Sequence, residues 1–388
     1  MDEQGLFEMM EIVLGKTDSE RGVTESFRKN SLSILSPKGL RSCERVLVDQ
    51  LPEGELGRAL VINSYGGILG VILKALNPDM QVVVWVDDAW DWEVAKGVQE
   101  ANPVAAGMEV VLSAVLPIGP WDWVVYPTEL KGTADLVRCR VRALVGEGLE
   151  LGGRMLMSNE NPRDRFIREE LTKSLGGVHL IPEERRNGAV AYRGRLKQRP
   201  DLNAPNAEES FSLKDGDTVL EFKTTLGMFC HGRIDVGTVQ LLKAMKVEGA
   251  QNILDLGCGC GVVGIVAALR NPAARVMMVD SHAPSVYWAE QNAATAGVRE
   301  RCEFLVSAQA KRDVAIRFDV VVTNPPYYGN LRISQLFLET AVELLNPGGR
   351  LCLVTKNPEW HEREIQGLFG NGELEERSGY WICTAVKK

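Results

Sequence analysis

One half of this chain reads as a copy of the other. "YGGILGVILKALNPDMQVVVWVD" (65–87) matches "GCGVVGIVAALRNPAARVMMVD" (259–280), with Gly70 opposite Gly264 and Asp87 near Asp280. "PWDWVVYP" and the later "GGRMLM" match "RFDVVVTNPP" and "GGRLCLV", with Asp122 opposite Asp319. The ends correspond as well, "NGAVAYRGRLK" to "SGYWICTAVKK". The repeat is too long for a solenoid, so the chain reads as two tandem domains of one fold. In each copy, strand-sized apolar runs alternate with amphipathic stretches. The runs are "ALVIN", "VVVWVD", "WDWVVY" and "RMLM" in the first half, and "NILDLG", "RVMMVD", "FDVVVTN" and "RLCLVT" in the second. In "SQLFLETAVELL", Leu338, Ala341, Leu344 and Leu345 fall on one helical face. Such alternation predicts an α/β fold with a mostly parallel, doubly wound (Rossmann-like) sheet in each half. The polar segment "QRPDLNAPNAEES" (198–210) is the expected linker between a first domain over 1–197 and a second over 211–388.

Composition narrows the class. At 388 residues, 45% hydrophobic and 25% charged, the chain is ordinary globular protein with enough apolar content for two cores. The opening "MDEQGLFEMM" is acidic and lacks the basic-then-apolar pattern of a secretory signal. No apolar run approaches the ~18 residues of a membrane helix, so a cytoplasmic protein without membrane contact is expected. The eight cysteines form no C-x-x-C, and four histidines supply no paired zinc spacing. Reduced, mostly buried thiols and no metal are the expectation. A net charge of −8 opposes broad coating of nucleic acid. The acid-free stretch "RRNGAVAYRGRLKQR" (185–199) is the local exception. Its Arg185, Arg186, Arg193, Arg195 and Arg199 read either as phosphate contacts or as a solvated strand end and linker.

"NILDLGCGCGVVGI" (252–265) is a strand, a glycine-rich turn and a helix start. Gly259, Gly261 and Gly264 satisfy G-x-G-x-x-G, the dinucleotide fingerprint, and Asp280 follows the next strand. Two features oppose a nicotinamide oxidoreductase. Asp255 stands beside the loop, where a carboxylate would repel a pyrophosphate but suit a ligand carrying an ammonium. "TNPPYYGN" (323–330) then follows the fourth strand, placing an asparagine, two prolines and two tyrosines at the strand end where open sheets bind ligands.

Together "DLGCGCG", Asp280 and "NPPY" resemble the S-adenosylmethionine-dependent amino-methyltransferases. With the duplicated layout, the chain looks like the bacterial ribosomal RNA guanine-N2 methyltransferase family, whose members carry tandem class I methyltransferase domains. The stretch "FKTTLGMFCHGRIDVGTVQLL" (222–242) resembles that family's entry into the catalytic domain. The detailed likeness covers about residues 211–388; over the first half it is one of layout. Family members often carry Phe-His after the two prolines, where this chain has Tyr327 and Tyr328.

The resemblance implies S-adenosylmethionine as cofactor and RNA as partner. Asp255 would hold the cofactor's amino group. Gly257, Gly259 and Gly261 would let the backbone approach it, and Asp280 would take the ribose hydroxyls. Thr238 and Asp235 would line the methionine end, with Asp235 equally well an N-cap. Asn324 and the Pro325 carbonyl would accept the protons of an exocyclic amine, Pro326 would stiffen the clamp, and Tyr327 would stack on the base. The expected activity is methyl transfer to a guanine N2 in ribosomal RNA. Methylation of adenine N6 or a protein glutamine amide, and a catalytically silent RNA-binding assembly factor, remain open. The first half is expected to bind no cofactor and to support the second half and position RNA. There Val61 stands for Asp255, Asn63 for Gly257, Tyr65 for Gly259 and Pro127 for Asn324.

Overall fold

The structure is a computed structural model that describes residues 34, 36, 39–128, 134–176, 178–180, 188–326 and 331–388. Arg185, Arg186 and Tyr327 lie outside the described residues. The chain divides between Ala207 and Glu208 into two compact units. That division falls inside the expected linker, but Glu208 to Ser210 already belong to a strand.

The first unit contains β1 (Arg58–Ile62), β2 (Gln81–Val86), β3 (Glu109–Leu112), β4 (Trp121–Thr128), β5 (Leu149–Asn159), β6 (Val178–Leu180) and β7 (Val190–Arg195). They form one sheet in the order β3-β2-β1-β4-β5-β7-β6. The first five are parallel, and β7 runs antiparallel to β5 and β6. The second unit opens with a hairpin, β8 (Glu208–Asp215) and β9 (Thr218–Thr225). Its signal was an Asp-Gly turn between alternating strands, with Gly216 at φ 58°. Then come β10 (Asn252–Leu256), β11 (Arg275–Asp280), β12 (Cys302–Val306), β13 (Phe318–Thr323), β14 (Leu345–Thr355), β15 (Glu373–Arg377) and β16 (Tyr380–Val386). Their order, β12-β11-β10-β13-β14-β16-β15, repeats the first sheet strand for strand.

The central strands are buried on both faces, as near-continuous apolar runs require, and each sheet carries a core cluster on either side. The paired glycines of the repeat are packing residues. Gly70, in the helix Ile68–Leu76, leaves no space for a Cβ against Val84 and Met108. At Gly264, in the helix Val262–Arg270, a Cβ would lie 2.7–2.9 Å from Met278. The paired aspartates are structural too. Asp122 accepts the Arg58 N–H at 2.8 Å, and Asp319 accepts those of Gln251 and Asn252 at 2.8 and 3.0 Å. Partial burial pushes the Asp319 carboxyl up, but these bonds and one from Asn346 outweigh it and hold it below the usual range. Asn77 and Asn271 likewise tie helix ends to backbone carbonyls. The predicted helical face at 334–345 is present in the helix Arg332–Leu344, with Leu338, Ala341 and Leu344 buried. Leu345 instead begins β14. Among the described residues no helix is long and apolar enough to cross a membrane, and no group of three or more potential ligands could hold a metal.

Candidate active site

The described residues singled out in the second half converge at the carboxyl ends of β10, β11 and β13. Asp255, the fourth residue of β10, is 1% exposed and accepts the Gly264 N–H at 2.7 Å. Burial raises its carboxyl to about 7; the Gly264 bond lowers it, and nearby Asp280 raises it further. No ion pair among the described residues reaches it. A buried carboxylate with only one hydrogen-bond donor is costly, and an incoming cation would relieve that cost.

The loop after β10 turns on Gly257, Gly259 and Gly261, at φ 76°, 53° and 87°. A side chain there would be strained, and two of the positions are also crowded. A Cβ on Gly257 would meet the Phe337 ring at 2.8 Å, and one on Gly261 would meet Ala289 at 3.0 Å. At Gly259 no atom of the described residues beyond its chain neighbours lies within 4 Å of such a Cβ, so packing among them does not explain the glycine. The Gly259 N–H donates to Asp280 at 2.9 Å, and the other Asp280 oxygen accepts the His282 N–H at 3.0 Å. Each carboxylate oxygen retains a second lone pair for a hydroxyl. Burial pushes the Cys258 thiol well above its usual value and Cys260 to about 12, so both loop thiols stay protonated near neutrality.

Asn324 follows β13 directly. Its amide nitrogen donates to the Asp235 carboxylate at 3.1 Å and to the Thr238 hydroxyl at 3.0 Å. Asp235 caps the helix Val236–Ala244 through the Thr238 N–H at 3.0 Å. One carboxylate oxygen thus serves as helix cap and anchor of the asparagine. An ionised carboxylate can only accept, so it fixes the amide orientation: nitrogen inward, Oδ1 on the opposite side. Asp235 is thus the N-cap the sequence allowed for, and both it and Thr238 bond to Asn324.

Supporting residues were missed. Gly237 leaves the space that Asp235 and the Tyr380 ring occupy, since a Cβ there would lie 2.8 Å from each. Asn292, 2% exposed, donates to the carbonyls of Cys260 and Lys223 at 3.0 and 2.9 Å and ties the glycine loop to β9. No local pattern marks either residue.

The basic stretch belongs to the first unit. Arg193 and Arg195 are exposed on β7, whereas Arg199 donates to the Val145 carbonyl at 2.7 Å. The first unit's own loop after β1 is closed by a side chain. Glu44, fully buried, accepts the Ser64 hydroxyl at 2.9 Å and the Tyr65 N–H at 2.8 Å. Asp87 pairs with Arg140, which also stacks on Trp85 at 4.9 Å. Val61 is buried in the core, and Pro127 lies within β4.

Residues 219–384 match the family model of the methyltransferase small domain. The chain is similar to the ribosomal RNA small subunit methyltransferase C of Cronobacter sakazakii, 28% identical over 235 residues. The Escherichia coli protein of that name is 30% identical over 235 residues. Each alignment covers 60% of this chain and 66% of the relative's length. Among solved structures, a Thermus (T. thermophilus) 16S rRNA N2 G1207 methyltransferase, in complex with AdoMet and guanosine, superposes with a TM-score of 0.74. At 23% identity, that match covers 92% of this chain and 95% of that one, a likeness of the whole tandem fold.

Proposed function

We infer that the chain belongs to the ribosomal RNA guanine-N2 methyltransferase family with tandem methyltransferase domains, and that it methylates the exocyclic N2 amine of a guanine in small-subunit ribosomal RNA, using S-adenosylmethionine. The observation that carries this reading is the anchored amide of Asn324, beside a buried acid and a left-handed glycine loop. The residues present fit the cofactor. Asp255 would receive its ammonium, the open face of Gly259 would admit it, and Asp280 would take the ribose hydroxyls. When bound, it supplies an electrophilic methyl group on a sulfonium.

The chain's own residues then act on the amine. A purine's exocyclic nitrogen is a weak nucleophile because its lone pair is conjugated with the ring. Asn324 Oδ1 and the Pro325 carbonyl would accept its two N–H bonds, aim it and favour a pyramidal nitrogen. Asp235 and Thr238 keep the asparagine from rotating its donor face toward the substrate. Pro325 has no N–H, and Pro326 restricts its backbone, so the carbonyl stays aimed. The proposed stacking role of Tyr327 completes the clamp. The amine's surplus proton is lost after methylation without a dedicated base. The clamp suits an exocyclic amine; the relatives' names point to small-subunit ribosomal RNA, and the solved T. thermophilus N2 G1207 methyltransferase points to guanine. The first unit would support the catalytic one and position RNA.

The test is nucleoside mass spectrometry of small-subunit particles incubated with the enzyme and labelled cofactor. N2-methylguanosine is the expected product. N6-methyladenosine alone, or label in protein, would overturn the assignment.

A further inference from the structure

The first unit carries a cleft of about 560 Å³ whose floor is a row across three strands. Trp123 on β4 lies opposite Arg154 on β5, which lies opposite Arg195 on β7. Arg193 and Lys197 also line it, and Asp49 and Glu55 are its only acids among the described residues. Cations therefore outnumber acids in a chain whose net charge is −8.

The members are held differently. The Arg154 guanidinium stacks on Trp123 at 4.8 Å and pairs with Glu55 at 2.9 Å. Arg195 donates through Nε to the Gly152 carbonyl at 2.9 Å. The exposed side chains of Arg193 and Lys197 have no hydrogen bond or ion pair among the described residues. The ladder continues past β7, with the Leu196 N–H donating to Gly153 O at 2.9 Å. Arg193, Arg195 and Lys197 thus alternate along extended chain and share a face, about 6.6 Å apart in succession.

The duplicated fold provides an internal comparison. The same row in the second unit is Val320, Arg350 and Val386, and Thr384 stands at the place of Arg193. Arg350 and Lys388 stand at the places of Arg154 and Lys197, but Thr384 and Val386 replace Arg193 and Arg195, so that unit lacks the three-cation line at this place. It is confined to the unit whose cofactor-site residues are replaced.

We propose that this cleft binds the phosphodiester backbone of a single-stranded RNA segment, with Arg193, Arg195 and Lys197 meeting successive phosphates. A single phosphate ion would be gripped by converging donors. Cations in a line, one strand repeat apart, match a chain of phosphates. Arg154, clamped between Trp123 and Glu55, braces the row from the next strand. The proposal rests on RNA being the substrate and gives the first unit a defined contact with it.

The experiment uses the full chain and an unstructured fluorescent RNA oligonucleotide, with anisotropy followed through a salt titration. Arg193→Ala/Lys197→Ala should weaken binding by tenfold or more. It should also reduce the log–log salt slope by about 1.4, two phosphates at ~0.7 each. Arg193→Lys should keep nearly the wild-type slope, and cofactor affinity should not change. A control in the second unit, Arg350→Ala/Lys388→Ala at the places of Arg154 and Lys197, should leave RNA affinity intact. An unchanged slope in the first double variant, an equal loss in the control, or displacement of RNA by equimolar inorganic phosphate would overturn the proposal. Anisotropy requires no methyl transfer, so a missing N2-methylguanosine product would sink the catalytic reading without touching this one.

Discussion

Asn324 donates inward to Asp235 and Thr238, and the value of that arrangement is tested by removing it. Asn324→Ala should lower kcat by ~10²–10³, comparable to deleting one preorganised hydrogen-bonding group, while cofactor affinity stays nearly constant. Single-turnover methylation at the wild-type rate would sink the assignment. Asp255 makes a pH prediction. Its carboxyl sits at about 7 in the cofactor-free protein, well above the ordinary 3.8. A bound ammonium would favour the carboxylate, so binding below pH 7 must release a proton. Affinity should rise with pH up to about 7 and then level off. Calorimetry at pH 6 in buffers of different ionisation enthalpy should show proton release that Asp255→Asn abolishes; buffer-independent heats would refute it. The same raised value means the acid favours the cofactor-free fold fully below pH 3.8, and that contribution is lost as pH rises through about 7. The sequence singled out Asp255, Asp280 and Asn324 as candidates because each belongs to a short contiguous motif. It did not identify Asn292 or Tyr380, whose partners lie far away along the chain and meet them only through the fold.

Among the elements, the helix after the glycine loop works closest to its limits. Gly264 presses against Met278 on β11 and donates its N–H to Asp255. Gly264→Ala would force Met278 to shift within a filled core, costing about 1–3 kcal/mol, and would move the donor that steadies Asp255. Chemical denaturation should show that loss together with weaker cofactor binding; a cost below ~0.5 kcal/mol would mean the helix is looser than described. The strands were legible because buried parallel strands are nearly continuous apolar runs, and the glycine turn marks where one becomes a helix. The hairpin of β8 and β9 was overlooked although its Asp-Gly turn and alternation were visible, since its first residues looked like linker. The extra residue on the predicted helical face, Leu345, shows the usual limit of periodicity. An apolar residue continues the pattern equally well as the last of a helix or the first of a strand.

For the whole molecule, two sheets of one topology should carry one cofactor. In the first unit Glu44 accepts the Ser64 hydroxyl and the Tyr65 N–H of the loop after β1, Arg140 holds Asp87, and Val61 offers no charge where Asp255 would stand. Titration with S-adenosylmethionine or its demethylated product should give a stoichiometry near one per chain, lost in Asp255→Ala. A second site of similar affinity surviving in that variant would show the first loop to be competent. The duplication was legible because the residues that recur, Gly70 with Gly264, Asp122 with Asp319 and Asn77 with Asn271, all serve the scaffold. Scaffold contacts leave a repeating trace in sequence. A lost site leaves only substitutions, which acquire meaning once the two sheets are laid strand on strand.

Identical strand order also poses a hazard during synthesis. While the chain is unfolded, β4 has a counterpart of the same shape in β13, and β1 in β10, so a strand from one half could be accepted by the other. Order of emergence favours the correct partners. When Ala207 is added, no strand of the second large sheet has yet been made. At about 5–20 residues per second, the ribosome then needs on the order of ten seconds or more to finish the chain. Collapse of a segment this size takes far less. The first sheet can therefore close its ladder before any rival edge exists, and translation itself separates the two copies.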